Sequence, residues 1–247
     1  NHGRYPVMKT IQVVNVRWFN ATAWYGLYLS RLLREAGHET LVVALEGTPV
    51  AAKAREWGLP VTHLNLNSVN PLCLAQAWSQ MRALVERFSP DLVNCHRGEA
   101  FVLWGLLKWR LGRFRLVRTR GDQRLPRDNV ANRLLYGRVA DAVVVTNTRT
   151  ARHIRDILDT SSERIWFIPG GVDRTVFRFD PEGRERVRRE CGFAPEHRVV
   201  GLVGRFDRVK GQRETIEAVS RLCREPGLSG LEHTRLLRYR DMPGSEH

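Results

Sequence analysis

The sequence predicts an α/β protein: a parallel sheet with helices on both faces, followed by a second, smaller block of the same kind. Three observations predict it. Short runs rich in Val, Ile and Leu alternate with longer stretches whose apolar residues recur every three or four positions. Strand-like and helix-like segments follow one another in turn, the order that argues a parallel, Rossmann-like sheet. A Gly- and Pro-rich stretch, 169–182, then separates two such blocks.

In chain order, a first strand is predicted over 11–14, where four mostly β-branched residues follow Lys9-Thr10. A loop of aromatic and small polar residues runs over 16–23. Trp24, Leu27, Leu29, Leu32 and Leu33 then mark a helix that stops at Gly37. Strand 41–45, a short helix over 51–57 and strand 61–64 follow. Leu74, Ala77, Trp78, Met81, Leu84, Val85 and Phe88 keep helical spacing until Ser89-Pro90, and 92–95 is the next strand. Phe101, Leu103, Trp104 and Leu107 mark a helix that ends in Lys108, Arg110, Arg113 and Arg115. This resembles an amphipathic segment that seeks an acidic lipid surface; a core helix with a basic end is the other reading. Strand 116–119, helix 130–139, strand 142–145, helix 148–158 and strand 165–168 complete the first block. The second block holds a helix over 185–189, a strand over 199–203, and a helix starting at Gly211 with Ile216, Val219, Leu222 and Cys223 on its apolar stripe.

After Glu225 the periodicity fails. A complete block needs roughly 100–150 residues, and only about 60 follow the hinge. The expected organisation is therefore 1–7 as upstream or expression-derived residues before Met8, an amino-terminal domain over 8–168, a hinge over 169–182, the start of a second domain over 183–225 and an irregular tail over 226–247.

Composition narrows the function. The 247 residues carry a net charge of +14, and four lysines leave 36 of the 40 cations as arginine. Such a surface favours anionic partners. Nucleic acid is not expected among them, because no recognition helix, RNA-binding signature or zinc-finger spacing accompanies the charge. No apolar run approaches the roughly 20 residues of a membrane span. Cys73, Cys95, Cys191 and Cys223 form no CxxC pair and read as reduced core thiols of a cytoplasmic protein. The histidines show no metal-ligand spacing, so neither a metal nor a cofactor is expected.

The chemistry concentrates at 198–212. A β-branched run stops at Gly204, where backbone can approach a ligand closely. Arg205 and Lys210 flank a short loop, and Gly211 opens a helix. Helix amides, a guanidinium fork and an ammonium make an anion site.

Upstream lies Pro169-Gly170-Gly171-Val172-Asp173 with Phe177. Together with Gly204-Arg205 and Lys210-Gly211, in that order and spacing, it resembles the family 4 retaining glycosyltransferases of GT-B fold. The resemblance implies a nucleotide-sugar donor whose diphosphate is held by Gly204, Arg205 and Lys210. It implies a hinge and cleft segment at Gly170, Gly171 and Asp173, and a glycan or lipid-linked acceptor of lipopolysaccharide type, with retention at the anomeric carbon. A polysaccharide-biosynthesis enzyme of the cytoplasm, peripheral on the inner face of the membrane, fits this picture. The alternative is a non-catalytic remnant that binds acceptor or a partner.

The family's later Glu-x7-Glu pair is not Glu217 and Glu225, which lie inside the helix after Lys210 and about 80° apart around it. In the first domain, strand ends should face the ligand. His96, Arg120 and Asp122 lie there and are the catalytic candidates. Arg120 stands where many relatives carry a histidine, and with Arg118, Arg124 and Arg127 it suits an anionic, phosphorylated acceptor. Asn20 and Thr22, in the loop after the first strand, either leave helix amides for phosphate or serve as a plain N-cap.

Overall fold

A computed structural model describes residues 6–68, 70–122, 124–204, 210–224 and 234–238. The chain divides into two compact units, up to Gly171 and from Val172 onward.

The first unit is built on a seven-stranded, all-parallel sheet. Its strands are β1 (Lys9–Val13), β2 (Glu39–Ala44), β3 (Val61–His63), β4 (Leu92–Cys95), β5 (Arg115–Arg120), β6 (Ala142–Val145) and β7 (Ile165–Phe167). Helices α1 (Ala21–Glu35), α2 (Pro49–Glu56), α3 (Pro71–Phe88), α4 (Gly98–Leu111), α5 (Val130–Leu134) and α6 (Thr148–Asp156) connect them. The spatial order is 3-2-1-4-5-6-7, so the winding reverses between β1 and β4. Ligands of such sheets bind outside the carboxyl ends of the strands at that reversal.

Period-2 alternation sends successive strand residues to opposite faces. Val43 of β2 joins one core with Ile11, Val93, Met81, Phe101, Trp104, Leu116 and Ile154. Its neighbours Val42 and Ala44 join the other, with Val14, Leu27, Val50 and Ala54. Both faces are thus covered by helices.

Phe101, Trp104 and Leu107 of α4 lie fully inside the first core, each removing about 1.5–3 kcal/mol worth of apolar surface from water. Lys108 donates to Val139 O at 2.7 Å and to the Asp141 carboxylate. The apolar face expected to seek lipid therefore faces the protein, because the sheet offers it a larger dry surface. Arg115 belongs to β5.

Between α1 and the sheet the packing is close at Gly26. A Cβ there would stand 2.6 Å from Val14 Cγ2 and 3.4 Å from the His96 ring. Gly26→Ala improves helix propensity by about 1 kcal/mol, yet overpacking of about 1–3 kcal/mol outweighs it. The expected result is a melting temperature a few degrees lower; an unchanged or raised transition would show that α1 can move away.

The second unit contains α7 (Pro181–Glu190), β8 (Arg198–Leu202), α8 (Gln212–Leu222) and β9 (Thr234–Arg238). Two expectations are corrected here. Residues 181 and 182, assigned to the hinge, begin α7: Asp180 Oδ1 accepts from Gly183 N at 3.0 Å, and Pro181 fits the first helical turn. The tail expected to be irregular contains β9, which pairs in parallel with β8 from Arg198↔Thr234 to Leu202↔Arg238. Five mixed residues carry no readable period; backbone pairing to β8 makes them a strand. Helix 130–139 is likewise α5 followed by a wider π-turn, Leu135–Val139.

Candidate functional site

At the carboxyl edge of the first sheet, polar side chains stand where strand interiors are normally apolar. Gln12 of β1 lies opposite Asn94 of β4. Asn94 Nδ2 donates to Gln12 Oε1 at 3.1 Å, and Thr119 of β5 donates to Asn94 Oδ1 at 2.9 Å. His96, 3% exposed, places Nε2 at 3.0 Å from the same Gln12 oxygen. An amide oxygen only accepts, so Nε2 carries the hydrogen and Nδ1 the lone pair. The ring hydrogen of His96, one of the catalytic candidates, is therefore spent on Gln12, and its Nδ1 is an acceptor.

Burial, helped by the nearby Arg118 charge, lowers the His96 pKa to about 3. The ring is neutral at pH 7 and is no general acid there. Its folded pKa lies below the roughly 6.5 of an unfolded chain. Between those values the unfolded chain takes up a proton that the folded one refuses, so stability falls as pH drops through the window. Urea midpoints at pH 7 and pH 5 should show the wild type losing about 2 kcal/mol more than His96→Gln; equal losses would contradict the neutral ring.

On the other face of β5, Arg118 is 1% exposed. It donates to Cys95 O at 2.8 Å and Thr119 O at 2.5 Å, and its guanidinium lies 5.9 Å from the centre of the Phe101 ring. It ties the ends of β4 and β5 together, so it is not part of the exposed basic edge expected from the sequence. Arg120 is also buried; it donates to Tyr136 Oη at 3.0 Å, to Asp122 Oδ1 at 2.5 Å and to Arg124 O. Arg120 and Asp122 thus meet, but their contact shapes the loop after β5. Arg124, Arg127 and Asp122 are exposed.

Asn20 is a plain N-cap: its Oδ1 accepts from Ala23 N at 3.1 Å. Thr22 sits half-buried in the first turn of α1. Gly170 and Gly171 take no positive φ, and a Cβ on either would meet no atom within 4 Å. Asp173 Oδ1 accepts from Thr175 N and Oγ1 at 2.9 and 2.6 Å, capping a turn.

In the second unit, Arg205 lies outside the described residues. Lys210 runs its stem past Gly204, its Cδ 3.8 Å from where a Cβ would stand. Gly211, at φ +73°, is the N-cap of α8 and supplies no side-chain acceptor to the helix amides. Only glycine adopts that angle without strain. Lys210 and the glycine N-cap of α8 thus lie near Gly204, after β8. Among the described residues, no three His, Cys, Asp or Glu side chains gather to hold a metal, and none of the four cysteines is in a disulfide.

The residues that sequence reasoning missed are Gln12, Asn94 and Thr119. The available signal was an uncharged polar residue, Gln12, Asn94 or Thr119, inside each of three strands.

The comparisons with known proteins bear on the fold and the family. D-inositol 3-phosphate glycosyltransferase of Nocardia farcinica is 33% identical over 89 residues, 36% of this chain and 19% of that protein. The matched stretch is thus about a fifth of that relative's length. A glycosyltransferase from Rickettsia africae superposes with a TM-score of 0.73 at 15% identity, covering 95% of this chain and 69% of the other. Anabaena HepE in complex with UDP gives 0.70 at 16%, covering 94% and 69%. These likenesses bear out the GT-B, Rossmann-like fold class. The sequence model of Glycosyltransferase Family 4 matches residues 22–176, more than half of the chain, and with that match the chain belongs to Glycosyltransferase Family 4.

Proposed function

We propose that this chain serves the transfer of a sugar from a nucleotide-sugar donor to a glycan or lipid-linked acceptor, lipopolysaccharide-type acceptors included, with retention at the anomeric carbon. The observation that carries the reading is Lys210 beside Gly204, at the N-terminus of α8 that Gly211 opens. Cleavage of the glycosyl bond leaves charge on the β-phosphate. An ammonium, helix amides and the neighbouring Arg205 stabilise that leaving group without a metal. Family membership supports the reaction class, and the UDP held by the Anabaena protein supports a uridine donor.

The first unit's edge is the acceptor side. His96 offers a neutral acceptor nitrogen, and Arg120 with Asp122 holds the loop that carries Arg124. The relative's name includes a phosphorylated polyol, and exposed Arg124 and Arg127 suit a phosphorylated acceptor here. Peripheral contact with an acidic membrane belongs to the outward face of α4, where Val102, Leu106 and Trp109, the last 82% exposed, adjoin Arg110 and Arg113. Sedimentation with phosphatidylglycerol vesicles should weaken severalfold in Trp109→Ala; unchanged sedimentation sinks that contact. No helix among the described residues is long and apolar enough to cross a membrane, and a cytoplasmic setting is part of the reading.

Calorimetry of the 247-residue chain with UDP and with UDP-glucose tests the donor side. Saturable binding of both is expected; heats no larger than dilution for both would remove the reading. Binding without turnover on any acceptor would favour the acceptor-binding remnant. An inverted anomer in a product would end the claim of retention.

A further inference from the structure

The first unit holds another polar concavity. It lies on the same carboxyl edge of the sheet, where β2 runs into Leu45 and Glu46, and β3 into Leu64 and Asn65. One flank of α3 closes it, with Cys73, Gln76, Ala77 and Gln80 at helical spacing. Its volume is about 300 Å³, at the small end of ligand pockets, roughly 300–1,000 Å³. We propose that this cavity binds a neutral sugar ring or similar polyol and anchors the acceptor there; the acceptor role rests on the glycosyl-transfer reading, whereas the binding chemistry stands on its own.

Charge gives the first argument. The chain carries 40 lysines and arginines, yet among the described residues none lines this cavity, and Glu46 is the one formal charge on its wall. Phosphate or carboxylate ligands are disfavoured here, in contrast to the exposed arginines after β5. A carboxylate beside side-chain amides is suited to hydroxyls, since it accepts while the amides both donate and accept. Leu45, Leu64 and Ala77 add apolar surface for the C–H face of a ring.

Two buried polar atoms give the second argument. Arg55 Nη2 lies 3.2 Å from His63 Nε2. A guanidinium only donates, so Nε2 accepts and the neutral His63 carries its hydrogen on Nδ1. That Nδ1 is buried without a hydrogen-bond partner in a residue lining the cavity. Asn65 Oδ1 accepts from Asn67 N at 3.3 Å, and Asn67 Oδ1 accepts from Asn15 Nδ2 at 2.5 Å. Asn15, 1% exposed at the end of β1, has its own Oδ1 buried without a partner. The loop after β3 is thereby tied to the strand where the winding reverses. The orphaned donor belongs to a residue lining the cavity and suits a ligand hydroxyl that accepts from it, whereas the orphaned Asn15 acceptor lies outside the lining, near that reversal. With β2 next to β1, the two places are roughly 5–10 Å apart.

Cys73 provides a reporter on the cavity wall. Iodoacetamide labelling of the full chain, read peptide by peptide by mass spectrometry, is run with methyl glycosides of glucose, galactose and mannose, with myo-inositol, and with inorganic phosphate. At least one neutral probe should slow alkylation of Cys73 severalfold while leaving Cys191 and Cys223 unchanged. Gln76→Leu and Gln80→Leu should abolish that protection at an unchanged melting temperature. No protection by any neutral probe, or equal protection by phosphate, overturns the proposal, and so does protection that survives both substitutions. UDP binding measured on the same sample separates the readings: UDP bound without Cys73 protection sinks the subsite alone, whereas protection without UDP binding sinks the donor reading alone.

Discussion

Lys210→Ala is expected to weaken UDP binding by about tenfold to a hundredfold, the loss of one charged hydrogen bond of roughly 1.5–3 kcal/mol. The lysine stem is already laid along Gly204, one residue before Gly211 opens α8. Arg205→Ala, at a position outside the described residues, is expected to act in the same direction, because a guanidinium fork holds two phosphate oxygens at once. Calorimetry with UDP, and with uridine as a control lacking phosphates, checks both. Both variants should bind uridine as the wild type does. Undiminished UDP affinity in both would remove the diphosphate assignment and with it the strongest support for the donor reading.

Arg118→Ala is expected to cost about 3–5 kcal/mol, from the cavity it leaves and from carbonyls that lose a charged donor. For a unit of this size that is a fall in melting temperature of about 10 °C or more. The fully buried guanidinium joins the ends of β4 and β5 through Cys95 O and Thr119 O. Burial lowers its own pKa; the Tyr136 hydroxyl opposes that, and Arg120 adds to it. Its charge in turn helps to hold the His96 pKa down, behind burial itself. Removing it should therefore raise the His96 pKa only partway toward the ordinary value near 6.5. Arg118→Met separates the two effects. It keeps most of the volume and should melt higher than the alanine variant, with the same rise in the His96 titration. NMR of the ring resonances against pH checks this; an unmoved His96 in both variants would show that the two groups are not coupled.

Much of the fold was legible. Strands 92–95 and 142–145 were read to the residue, because β-branched and apolar runs bounded by turn residues have few other uses. Gly211 as a helix entry was legible too, since a glycine before a periodic segment signals an unusual backbone angle. The boundary of α7 was obscured because Asp180-Pro181 serves equally as a turn and as a helix start. β9 was not legible, since five residues without a period become a strand only beside β8.

The site was less legible than the fold. Arg118, Arg120, Arg124 and Arg127 look alike in the sequence. Yet the first two are buried and committed to backbone carbonyls, a tyrosine and an aspartate, while the other two face solvent. The same holds for α4, whose apolar stripe fits a lipid-seeking face and a core face equally in the sequence, and packing decides for the core.

By itself the sequence determined the order of strands and helices, the family motifs and the excess of positive charge, because period, turn chemistry and composition are local properties. The tertiary structure alone decided which polar groups are dry and which partner holds each of them. It placed Gln12, Asn94, Thr119 and His96 in one network, and it drew Glu46, His63, Gln76 and Gln80 around one cavity. Those residues meet only when β1, β2, β3, β4, β5 and α3 pack side by side, and burial then fixes which protons and lone pairs remain for a ligand.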